Sequence, residues 1–225
     1  MRVGSTFGPL ASHLARIVAD VLGAIPDIRM GLDGRTPLAM LTSGDIDAAI
    51  ALDYPGTRPA DPDLQRHLIA VEPVFVGVPA THYLARRTEI ELAELATETY
   101  SGPRDPASGL TRHVITECER VGYTPRLADL DHADLCTVAR RPHTVLLMKP
   151  SSQPPAGLVA VPLAGTPLRM DTRLYVSART ALTPEAVRQL RTELVIAQHS
   201  LVEATDVYRA WLERHPEWDT TPVDP

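Results

Sequence analysis

The chain has 225 residues, 44% of them apolar, enough for one large domain or two small ones with real cores. Its net charge of −6 gives it no electrostatic reason to hold nucleic acid by itself, and two cysteines, Cys118 and Cys136, suit a reduced compartment better than a secreted disulfide scaffold. No basic-then-apolar leader opens the sequence and no apolar run approaches the roughly 20 residues of a membrane span, so a soluble, cytoplasmic protein without membrane contact is expected.

Arg2 to Gly4 reads as a core strand, broken at Ser5-Thr6-Phe7-Gly8 before a helix with Pro9 at its first position, where a missing N–H costs nothing. Leu10, Leu14, Ile17, Val18, Val21 and Leu22 recur at helical spacing, and Pro26-Asp27 ends that helix. Ile28, Met30 and Leu32 alternate as a strand. Thr36-Pro37 reads as an N-cap and helix start, and Gly44 as the C-cap. Ala48 to Leu52 is a continuous apolar strand, the pattern of a parallel sheet covered on both faces. This β-α-β-α-β order is half of a doubly wound sheet.

A proline-rich connection, Tyr54 to Pro62, leads to strands at 68–71 and 74–78. A short helix follows at 89–96, with Thr88 and Glu91 in a capping-box pattern. The second α/β group has a helix at 110–121 stopped by Gly122, a strand at 126–130, a helix from His132 to Arg140 capped by Asp131, and a buried strand from Thr144 to Met148. Strands at 158–161 and 172–177 come next. Thr183-Pro184 then starts a long helix with Val187, Leu190, Leu194, Val195 and Leu201 on one face.

Two α/β groups joined by extended segments near 76–80 and 171–176 place a ligand cleft between them. In open α/β sheets ligands sit beyond the carboxyl ends of the strands, where helix N-termini offer free N–H groups. Ser5, Thr6, Arg35 and Thr36 fall at such places, and hydroxyls beside a guanidinium suit a carboxylate or similar anion. Helix capping alone accounts equally well for Ser5, Thr6 and Thr36. G-x-S-x-G, G-x-G-x-x-G, Walker and H-E-x-x-H patterns are all missing, so no catalytic residue, cofactor or metal is expected. His132 and Cys136 lie four apart but lack two further ligands at a recognisable spacing. Cys118 continues the apolar stripe of Val114, Ile115 and Val121, where burial explains it.

Three stretches resemble the effector-binding domain of LysR-type transcriptional regulators. They are "MRVGSTFGPLASHLARIVADVLGAIPDI", "GLDGRTPLAMLTSGDIDAAIAL" with G-x-x-D-x-A-I at Gly44, Asp47, Ala49 and Ile50, and "EPVFVGVPATHYLARRTEIELAELA". The resemblance runs from about Arg2 to Leu201. It implies an α/β fold of two Rossmann-like subdomains around a central cleft, like type II periplasmic binding proteins. Lobe I would comprise 1–78 and 173–201, lobe II 79–172, and 202–225 would form a C-terminal extension. The implied function is to sense a small organic, anionic effector and so control transcription, without catalysis. A solute-binding protein delivering a ligand to a transporter is the alternative on the same fold. A homodimer through the first helix and second strand (9–22 and 28–32) is implied, with a tetramer for the full-length protein. DNA is then touched only through a winged helix-turn-helix that the family carries ahead of this domain, and the chain reads as an expressed fragment without it.

For the effector site, the family's pattern in lobe II adds Ser101, Gly102 and Arg104 in "YSGPRDP", with His132 and Thr144 beside them. Arg104 reads equally as a surface charge next to Asp105. The sequence departs from the family at Arg140-Arg141-Pro142, where small residues are usual. It also continues past Leu201, where Tyr208 and Trp211 belong either to a partly disordered tail or to a segment docked on a lobe or a partner. With aromatic content of only 4%, stacking on an aromatic effector is not a theme. Peroxide sensors of the family use a cysteine pair. Cys118 matches one position, but the reactive position falls at Gly109.

Overall fold

The computed structural model describes residues 1–6, 8–31, 35–57, 61–101, 108–128 and 141–218. In chain order the regular elements are β1 (Arg2–Thr6), α1 (Ala11–Leu22), β2 (Asp27–Gly31), α2 (Arg35–Ser43), β3 (Ala48–Asp53), β4 (Leu64–Pro73), β5 (Phe75–Pro79), β6 (Thr99–Ser101), α3 (Gly109–Arg120), β7 (Arg126–Ala128), β8 (Thr144–Met148), β9 (Leu158–Pro162), β10 (Arg169–Ser177), α4 (Pro184–Glu203) and α5 (Asp206–Arg214). They build two five-stranded sheets, β2-β1-β3-β10-β4 and β7-β6-β8-β5-β9. The expected α/β architecture with two subdomains is what the chain adopts.

In the first sheet β1 pairs in parallel with β2 and β3, while β10 runs antiparallel between β3 and β4. Val3 and Ile50 pack under α1 (Leu14, Ile17, Val18) and α4 (Leu190, Leu194), while Ala49 and Ala51 face Leu41 of α2. Gly4 permits the close approach of α2: a Cβ there would lie 2.9 Å from Pro37 Cβ and 2.6 Å from Ile46 Cδ1. Gly44, at φ 80°, closes α2 as expected. The start of the chain differs from expectation. Bonded on both sides, β1 continues through Ser5 and Thr6, so neither caps a helix; α1 begins at Ala11, with Pro9 in the turn before it. Gly23, in the left-handed region at φ 63°, ends α1 three residues before Pro26.

The second sheet holds Val76, Tyr100, Val145 and Val161 in one apolar core with Leu84, Leu95 and Val114. Its β5 lies between β8 and β9. Sheet membership therefore changes at Val74 and again over 163–168, a few residues before the expected crossings at 76–80 and 171–176. The residues around both crossings are strand-forming and apolar, so composition does not mark the switch. Pro73, which has no N–H to donate, closes the β4 ladder. The helix expected at 89–96 is a short 3-10 turn at Leu92–Leu95, capped by Glu91 and Glu94 rather than by Thr88.

Beyond α4, whose N-cap Thr183 accepts the Ala186 N–H as expected, the chain turns and docks α5 against the second sheet. Tyr208 and Trp211 are buried with Phe75 of β5, Met148 of β8 and Ala160 of β9. Trp211 is 0% exposed, its ring centroid 5.8 Å from that of Phe75 and 4.4 Å from that of His215, which stacks on it. Arg214 and His215 both approach Glu89 of the second half, at 3.7 and 3.6 Å. Up to Trp218 the extension is thus a third passage between the two halves. No helix of the described residues is long and apolar enough to cross a membrane.

Candidate functional site

Parallel strands aim their carboxyl ends one way, and here the two sets of ends meet. On the first half these are Thr6 of β1 and Asp53 of β3, with Arg35 and Thr36 opening α2 just before Pro37, which packs on Gly4. On the second half they are Ser101 of β6 and Met148 of β8. Two glycines set the approach. A Cβ on Gly8 would lie 3.8 Å from Lys149 Cδ, and one on Gly109, at the start of α3, would lie 2.9 Å from Tyr54 Cδ2 and 3.0 Å from Thr57 Cγ2. The loop after β3 therefore seats directly on the N-terminus of α3.

Where the chain crosses between sheets, a buried polar cluster surrounds Glu72. Its Oε1 accepts from Gln198 Nε2 (2.8 Å) and Ser151 Oγ (3.2 Å), and its Oε2 accepts from Thr172 Oγ1 (3.2 Å). Lys149 Nζ donates to Thr172 Oγ1 at 3.0 Å and sits 3.5 Å from Glu72 Oε2. A buried carboxylate must be compensated in this way, because an unpaired one costs several kcal/mol.

The residues singled out from sequence divide unevenly. Ser5 and Thr6 are at the meeting of the halves, but as successive strand residues they point to opposite faces. Ser5 is buried and donates its hydroxyl to the Thr6 carbonyl at 3.0 Å. Ser101 is buried at the carboxyl end of β6. Thr144 is not near it. Register pairs Thr144 with Thr99 and Ser101 with Leu146, so Thr144 lies at the amino end of β8, where that strand begins rather than ends. Gly102, Arg104 and His132, the helix 132–140 and Cys136 lie outside the described residues. Sequence reasoning missed Lys149, Glu72 and Thr172. The one available signal was that Lys149 is the single lysine in a chain of twenty-one arginines.

Three other groups have a chemistry of their own. His82 Nδ1 accepts the Leu84 N–H (3.3 Å), which leaves the proton on Nε2, 3.4 Å from Glu98 Oε1; His143 Nδ1 is 3.6 Å from the same oxygen. Two histidines and a carboxylate so placed have the composition of a metal site, but the His82 tautomer turns a proton toward it instead of a lone pair. Cys118 is fully buried, with Tyr123 Oη 3.2 Å from its sulfur, and burial pushes its thiol up. That is the environment of an inert cysteine. His113 accepts the Arg169 N–H through Nε2 (3.2 Å). Burial, then the charges of Arg169 and Arg120, push it down to about 4. A cavity of about 490 Å³ opens between α4, α5 and β4, lined by Ile69, Val195, Gln198 and Trp218, and touches none of the strand-end hydroxyls.

A family model described as the LysR substrate binding domain matches residues 1–197. The chain belongs to that family. This LysR domain is 31% identical over 217 residues to the small neutral protease regulatory protein of Streptomyces coelicolor, covering 95% of the chain and 63% of that protein. It is 25% identical over 122 residues to the HTH-type transcriptional regulator ShiR of Corynebacterium glutamicum, covering 52% and 40%. The chain spans a little under two thirds of the length of its first curated relatives. Among solved structures, a mutant of Corynebacterium glutamicum OxyR superposes with a TM-score of 0.76 at 18% identity, over 92% of this chain and 66% of that one. The BenM effector binding domain with its effector benzoate gives 0.66 at 20% identity, over 99% and 95%. These neighbours fix the fold as the two-lobed, type II periplasmic-binding-protein-like one.

Proposed function

We propose that this LysR domain senses a small organic anion between its two lobes and so governs a transcription regulator acting in the cytoplasm. The supporting observation is that the carboxyl ends of the parallel strands of both sheets face one another at Gly8–Lys149 and Gly109–Tyr54. Thr6, Arg35 and Thr36 would contact the anion from one side, with Ser5 behind them bonded to the Thr6 carbonyl, and Ser101, Gly102 and Arg104 from the other. The curated relatives are named as regulators, so catalysis is not part of this reading, and no observation favours the solute-binding alternative. DNA contact is assigned to a helix-turn-helix outside this chain. A homodimer forms through α1 and the edge strand β2, where Ile25 and Met30 leave apolar surface exposed.

The test is thermal unfolding of the purified chain with a set of small carboxylates, since a ligand that binds only the folded state raises the midpoint. At least one acid should raise it in the wild type. The double variant Arg35→Ala/Arg104→Ala should fold normally and lose the response; an unchanged response in that variant removes the anion clamp. Sedimentation giving only monomer would count against the dimer.

A further inference from the structure

The cluster at Glu72 joins the two lobes. Glu72 and Thr172 belong to strands of the first sheet, and Gln198 to α4 packed on it, while Lys149 and Ser151 come from the segment following β8 of the second sheet. The Lys149–Glu72 ion pair and the Lys149–Thr172 and Ser151–Glu72 hydrogen bonds therefore all run between lobes, beside both chain crossings. The hydrogen bonds are consistent in direction: Thr172 Oγ1 accepts from Lys149 and donates to Glu72, and Ser151 and Gln198 donate to the other carboxylate oxygen. Lys149 is the less firmly held member. Its ammonium has three hydrogens, one used on Thr172, and Glu72 stands at 3.5 Å, beyond a short charged hydrogen bond. Its side chain is 11% exposed against 1% for Glu72, and its stem lies against Gly8, two residues past Thr6.

We propose that Lys149 is the residue that reads the effector's acid group, and that it does so by exchange: the entering carboxylate takes over the ammonium from Glu72, so the interlobe ion pair is surrendered as the cleft fills. This rests on the anionic-effector reading above and adds the residue and the route by which occupancy reaches the hinge. A ligand shifts a two-state equilibrium only through contacts that differ between the states. Lys149 supplies that difference, paired with Glu72 as it stands and with the carboxylate once the cleft is filled.

Exchange has a sign that a structural role lacks. Glu72→Gln removes the competitor while keeping the side chain's shape, so acid affinity rises. Lys149→Met removes the reader, so affinity is lost, and Lys149→Arg keeps the charge and retains binding. If the cluster only holds the lobes together, every one of these variants weakens binding. The experiment is titration calorimetry of the intact chain and the three variants with acetate, benzoate and succinate, after circular dichroism has confirmed folding. The expected result is binding of at least one acid by the wild type, about fivefold or more tighter in Glu72→Gln, absent in Lys149→Met and present in Lys149→Arg. Equal binding by Lys149→Met and wild type overturns this proposal and leaves the anion reading standing. Weaker binding by Glu72→Gln overturns the exchange. No binding by wild type or Glu72→Gln overturns both readings. Should Lys149→Met not fold, the Glu72→Gln arm decides, because exchange requires a gain.

Discussion

Replacing Trp211 with alanine tests whether α5 is part of the folded unit. The side chain is fully buried among Phe75, Tyr208, His215 and Trp218. Removing a buried tryptophan costs about 3–5 kcal/mol. Its indole N–H, however, is buried without an acceptor among the described residues, and relieving an orphaned donor returns about 1–3 kcal/mol. The net loss is then about 2 kcal/mol, and for a chain of this size that lowers the unfolding midpoint by roughly 4–8 °C. Trp211→Phe keeps a ring in the site and deletes the orphan donor, so it should lose less than half as much. Far-ultraviolet circular dichroism follows both without relying on the tryptophan signal. A Trp211→Ala midpoint within about 1 °C of wild type would mean that the docked helix contributes nothing. Equal losses in the two variants would mean that a ring in the site recovers nothing, and would refute the packing cost assigned to Trp211.

His113 should make the domain acid-sensitive. Its folded value of about 4 lies below the unfolded 6.5, so between these the unfolded chain binds a proton that the folded chain refuses. Stability is full above about pH 6.5 and falls toward pH 4 by up to roughly 3 kcal/mol. His113→Gln, which keeps an acceptor for the Arg169 N–H, should flatten that part of the midpoint-against-pH curve, and identical slopes would count against it. Cys118 should resist alkylation in the native protein and react on unfolding, read by peptide mass spectrometry; labelling at the rate of a free thiol would contradict its burial. Gly109→Ala forces a methyl into Tyr54 and Thr57 and should destabilise by about 1–3 kcal/mol in denaturant unfolding, whereas a neutral result would mean that the loop after β3 yields freely.

Much of this fold was legible because local chemistry and tertiary role agree. Thr183-Pro184 starts α4, Gly44 ends α2, and "TVLLM" is β8 to the residue, each a signal carried by one or two neighbouring side chains. What escaped depends on distant partners. Ser5 and Thr6 look like turn residues, yet β2 pairs with both and β3 with Ser5, which keeps them in a strand. Thr99–Ser101 is too short to show a period, and only β7 and β8 make it a strand. Around Tyr208 and Trp211 the sequence left a partly disordered tail and a docked segment both open, because the residues that cover those rings, Phe75, Met148 and Ala160, are far away in the chain. In the candidate site the hydroxyls at strand ends were visible, whereas the Lys149–Glu72 pair joins positions 77 residues apart, and nothing in either neighbourhood announces the other.

The order of strands in the first sheet has a consequence for how the protein is made. β3 and β4 are neighbours in sequence but not in space, because β10 lies between them. During synthesis from the N-terminus, β1, β2 and β3 emerge early and then wait, with one edge of β3 unpaired, until the whole second sheet has been translated. That second sheet needs no strand from outside 75–162. It can fold as a continuous piece while the first remains open, since contacts distant in sequence form late. The half that begins the chain is therefore the half that finishes last. The exposed edge of β3 in that interval is where a chaperone would have most to shield.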